Sequence, residues 1–140
     1  MKLYVEAERG DLPAIRDLLE SGADPNIEFL SGLTMSPLAR AAICDEPESI
    51  RALVAGGAKV DLPLTYELSG GIVTGSTALM WASHEGSTSA VKALLAAGAD
   101  VNARDCAVNM DTGGCYSRKT ALDHAKTAEI RALLRAAGGA

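Results

Sequence analysis

Residues 77–102, TALMWASHEGSTSAVKALLAAGADVN, decide the fold. The Thr77 hydroxyl can accept a bond from one of the free N–H groups of a helix's first turn, so a short helix is expected to open there and to stop at Gly86. A second helix is expected from about Ser87, with Val91, Leu94 and Leu95 at the i, i+3, i+4 spacing of one apolar stripe. Gly98 can supply the positive φ that ends it, and Ala99-Asp100-Val101-Asn102 turns the chain away. A helix pair this small cannot cover its own apolar faces. It needs neighbours of the same kind.

Working outward, the same pattern recurs. Ile15, Leu18 and Leu19 run into Gly22-Ala23-Asp24-Pro25-Asn26, and Ile50, Leu53 and Val54 into Gly57-Ala58-Lys59-Val60-Asp61. Ile130, Leu133 and Leu134 run towards Gly138. First helices precede them at Ser36-Pro37-Leu38-Ala39-Arg40-Ala41-Ala42 and Thr120-Ala121-Leu122-Asp123-His124-Ala125. This succession resembles the ankyrin repeat, with its T-P-L-H-x-A opening and a period of roughly 33 residues. The resemblance covers nearly the whole chain apart from insertions between units. It implies an all-α solenoid of helix pairs with extended β-hairpin-like loops. Units are expected at about 1–26, 36–61, 77–102 and 120–138, within a single domain over 1–140, and insertions at 27–35, 62–76 and 103–119.

Composition agrees. The chain is 48% apolar but only 4% aromatic, which suits stacked small helices better than a broad sheet core. A net charge of −5 argues against general nucleic-acid binding and weakly favours a protein partner with a basic patch. The opening MKLYVEAERGDLPAIRDLL lacks a signal-like apolar run, and nothing approaches a membrane span. A cytoplasmic protein is expected, unless a leader has been removed.

Both ends read as caps. Asp11 can cap the second helix of unit one, with Pro13 where a missing N–H costs little. In unit two, Ser36 and Pro37 form an N-cap and first helical residue, and Asp45 replaces the glycine of the inter-helix turn. In unit four Thr120 and Asp123 form a capping-box pair, and Thr127 caps the closing helix. The polar residues of these end units suit faces that meet water, and no further repeats are expected.

The insertions carry the functional expectation. Residues 62–76 alternate Leu62, Leu64, Tyr66 and Leu68 before Ser69-Gly70-Gly71 and Ile72-Val73, a hairpin signature; residues 103–119 repeat it around Asp111-Thr112-Gly113-Gly114. The family resemblance implies that such hairpins project as fingers from one edge of the stack, beside a concave wall of first helices. Superposed units put Arg40, Trp81 and His124 at one position of that wall, with His84 and Glu85 a turn beyond Trp81. Tryptophan and arginine are frequent at the centres of binding surfaces. The expected partner-binding set is therefore Arg40, Trp81, His84, Glu85, His124, Tyr66, Leu68, Met110 and Tyr116. The blander alternative is that Trp81 packs against a finger or a neighbouring helix.

Cys106 and Cys115 lie on opposite arms of the last finger. A cross-strand disulfide would pin it, although a cytoplasmic setting favours thiols; Cys44 reads as a small apolar residue. No nucleophile–base pair or phosphate-binding loop is present, so no enzyme and no cofactor are expected. The two His and Cys115 lack metal-ligand spacing, and no metal is expected. The reading is a protein–protein interaction module that binds a folded partner through the concave face and fingers, as a monomer rather than a homodimer. One alternative is an inhibitor or immunity-type protein that blocks an enzyme. Another, of a different class, is a small-molecule, metal or redox-sensing module built on the loop cysteines and histidines.

Overall fold

The computed structural model describes residues 2–30 and 34–139; the tip of the first insertion, 31–33, lies outside them, as do the side chains at 29, 30 and 34. Among the described residues the helices come in pairs. These are α1 (Lys2–Arg9) with α2 (Leu12–Glu20), α3 (Pro37–Ile43) with α4 (Pro47–Ala55), α5 (Ala78–Glu85) with α6 (Thr88–Ala96), and α7 (Ala121–His124) with α8 (Ala128–Ala136). The first helices pack in the row α1-α3-α5-α7 and the second helices in the row α2-α4-α6-α8.

Capping chemistry sets the helix ends. Ser36, Thr77 and Thr127 side chains accept from Ala39, Met80 and Ile130 N–H, and Thr120 with Asp123 makes the full capping box. Gly86 ends α5 in the left-handed region at φ 80°. Helix α6 starts after Ser87 as expected, but without a side-chain cap: the Ser87 hydroxyl donates to Ile43 O in the preceding unit. The turns stitch neighbours in the same way. Asn26 donates to Gly57 O and accepts from Lys59 N, Asp61 accepts from Asp100 N, and Asn102 donates to Gly138 O.

Asp45 does two things at once. It is the one non-glycine described residue with positive φ (55°), and its Oδ1 accepts the Ala90 N–H at 2.8 Å across the unit boundary. Asp45→Ala is expected to cost about 1–2 kcal/mol, from backbone strain plus the lost bond. Asp45→Asn, which keeps both features, should cost well under half of that in urea melts.

The core follows the repeat. Leu53 and Leu94 in the middle units are fully buried, while the matching Leu18 and Leu133 of the outer units are half-buried. Ala41 in α3, Ala82 in α5 and Ala125 just after α7 are buried, and side chains this small let packed helices approach closely.

The insertions form β-hairpins between the helix pairs. The first insertion carries a short pair, β1 (Phe29–Leu30) with β2 (Thr34–Met35). The two longer insertions merge into one antiparallel sheet in the order β3 (Leu64–Leu68), β4 (Gly71–Ser76), β5 (Cys106–Asn109), β6 (Cys115–Ser117). Strand β4 of one insertion pairs with β5 of the next, Gly71 opposite Asn109 and Val73 opposite Ala107. Gly71 makes room for this: an added Cβ would lie 2.6 Å from Val108 O. Each hairpin leaves an edge unpaired, and stacking the units brings those edges together.

Candidate functional site

The finger sheet leans over α5 and α7 and closes a cleft of about 420 Å3 between them. Tyr66 and Leu68 come from β3, Met80, Trp81 and His84 from α5, and His124 from α7. Ser76 and Lys119 complete the lining from the bases of the two hairpins. Five of the residues expected from sequence therefore meet in one place: Tyr66, Leu68, Trp81, His84 and His124.

Two contacts fix the walls. The Tyr66 and Trp81 rings are tilted by 60° with centroids 5.1 Å apart, a favourable aromatic geometry. His124 Nε2 donates to Asp105 Oδ2 at 2.7 Å. Asp105, only 4% exposed, also accepts the Lys119 N–H at 2.9 Å and donates its own N–H to Lys119 O. This residue thus ties the base of the last hairpin to α7. His84 meets the edge of His124 with centroids 6.4 Å apart and is otherwise exposed, its Nδ1 3.3 Å from Glu85 Oε1. Burial raises the Tyr66 hydroxyl above its ordinary pKa, with smaller contributions from Asp105 and Tyr116. The Trp81 indole N–H is buried with no acceptor among the described residues.

The remaining expected residues lie elsewhere. Arg40 is not part of the cleft: its Nη2 donates to Glu8 Oε1 at 2.9 Å and its guanidinium stands 5.8 Å from the centre of the Tyr4 ring. Arg40 and His124 each answer a carboxylate of the same chain, Glu8 and Asp105. Trp81 packs on a finger, as the blander alternative had it, while still lining the cleft. Glu85 sits beyond the rim, and Met110 and Tyr116 stand 64% and 65% exposed along the finger. Sequence reasoning missed Asp105 and Lys119, whose one local signal is that they flank the last hairpin symmetrically. Met80 was passed over as the neighbour of Trp81.

The Glu8–Arg40 pair has a pH consequence. The hydrogen bond and charge of Arg40 lower the Glu8 carboxyl from its ordinary 4.5. A lowered folded value means the pair contributes fully above the unfolded pKa and is lost as pH falls through the folded one. The stability gap between the natural chain and Glu8→Gln is therefore expected to close on acidification from about pH 6 to about pH 3. Urea melts across that range check it, and a gap that widens in acid contradicts the assignment.

Cys106 and Cys115 face each other across β5 and β6 with Cα atoms 5.7 Å apart, inside the span a disulfide requires. Cys44 stands apart, half-buried, its thiol pushed up by burial. Among the described residues, no three His, Cys, Asp or Glu gather as metal ligands would. None of the helices there is long and apolar enough to cross a membrane.

A stack of paired helices with hairpins along one edge is a repeat solenoid. A family model for ankyrin repeats, three copies, matches residues 3–105, and the chain belongs to the ankyrin repeat family. No curated protein matches it. Ankyrin repeats are generally protein–protein interaction modules and typically non-enzymatic scaffolds.

Proposed function

We propose that the chain binds a folded protein partner through the cleft face: the inner ends of α5 and α7, the finger sheet above them, and the exposed Leu68, Met110 and Tyr116. The observation that carries this reading is the cleft itself, a part-open hollow with aromatic walls. Because the walls are held by Tyr66–Trp81 and His124–Asp105 before any partner arrives, little ordering entropy is lost on binding. The test is affinity capture from the native host under gentle salt. A stoichiometric protein partner lost on Tyr116→Ala and Met110→Ala, two exposed changes, is expected. Absence of any stoichiometric partner would overturn the reading.

On the same reading the Cys106–Cys115 pair, when oxidised, braces the last hairpin and keeps Tyr116 presented. A thiol assay of the protein handled without reductant is expected to find Cys44 alone free, and all three cysteines after reduction. Three free thiols at the outset would remove the brace.

A further inference from the structure

We infer that the cleft is an anchor pocket for one large apolar side chain that carries a carboxylate beside it, presented by the protein partner. The inference rests on the protein-binding reading above and adds the chemistry of what enters. The apolar half is set by Tyr66, Leu68, Met80 and Trp81, of which the two rings form a rigid corner. A cleft of about 420 Å3 falls at the small end of the range for ligand pockets and suits one anchor side chain and its neighbouring group.

The anionic half follows from charge. In a chain of net charge −5, no residue lining this cleft carries a carboxylate. The one acid beneath the wall, Asp105, is buried, and its two oxygens are already occupied by His124 and the Lys119 N–H. Lys119 is exposed at the cleft with no ion-pair partner among the described residues, whereas His84, also lining it, already has Glu85 Oε1 3.3 Å from its Nδ1. In a chain of net negative charge, this hollow offers an anion an ammonium and no lining carboxylate. A neutral apolar group would fill the corner and leave Lys119 unanswered; a bare anion would leave the rings wet. Only the combination satisfies both halves.

Trp81, the only tryptophan, reports on the site directly. Its emission is titrated with N-acetylphenylalanine, which joins an aromatic ring to a carboxylate, and with N-acetylphenylalanine amide, which removes the charge. The carboxylate form is expected to bind about three- to fivefold more tightly, the range for a part-exposed ion pair. Lys119→Glu, an exposed change that leaves the fold intact by circular dichroism, should abolish or invert that preference. Equal binding of acid and amide, a preference indifferent to Lys119→Glu, or no response of Trp81 to either compound overturns the inference. The two readings fail separately. A captured partner retained equally by Lys119→Glu leaves protein binding standing and removes the anchor, while a missing partner removes the former and leaves the titration to decide the latter.

Discussion

Leu94→Ala is expected to lower the unfolding free energy by about 3 kcal/mol, within the range for buried leucine truncations. The residue has no exposed surface and sits on α6, which packs against α3, α4, α5 and α8. Removing its branched end opens a cavity that helices pinned on several sides cannot close, so both the lost burial and the void count against the fold. The comparison with Leu133→Ala isolates the cause. Leu133 holds the matching position in α8 but is half-buried. Its truncation should cost about half as much. Equal costs at the two positions would mean that burial between units is not what stabilises the middle of the stack. Denaturant titration followed by both helix signal and Trp81 emission measures this, and the two probes should shift together.

Asp105→Ala is the second change with a large expected effect, about 2–3 kcal/mol, and its effect should be local. The carboxylate accepts from His124 Nε2 and from the Lys119 N–H, and alanine strands both donors in a poorly solvated place. His124 is only 15% exposed at its side chain, so water reaches it poorly. Asp105→Asn keeps an acceptor for either donor and should recover much of the loss. The region that opens is the hairpin base and α7, so hydrogen exchange should accelerate over residues 103–124 while α3 and α4 keep their protection. The cleft loses its His124 wall in the same event. Acceleration spread evenly over the chain would show instead that Asp105 serves the whole stack.

These two residues mark what was legible in the sequence. Leu94 is legible because apolar spacing repeats at a fixed offset from glycine, and that offset is local: Val91, Leu94 and Leu95 before Gly98, Ile50, Leu53 and Val54 before Gly57. Caps are legible for the same reason, since Thr77, Thr127 and the Thr120–Asp123 box act within one helical turn. Asp45 was readable as a tolerated left-handed residue, though not as the acceptor for Ala90 N–H in the next unit. Asp105 with His124, Glu8 with Arg40, and Ser87 with Ile43 O join residues far apart in the chain, and no spacing announces them. The merging of the long hairpins into one sheet belongs to this second kind. It depends on how closely one unit sets its loop beside the next, which the alternation of Leu64, Tyr66 and Leu68 does not encode. That is also why Arg40 and His124 looked available: their partners come from α1 and from the hairpin base.

The most direct measurement is hydrogen exchange of the chain alone and in complex with the protein it captures from its host. Slowed exchange over residues 64–85 and 105–124, with α2, α4 and α8 unchanged, is the result predicted for a partner seated between the strands and the inner helices. Slowing confined to α2, α4 and α8, with the cleft as open as in the free chain, would contradict it.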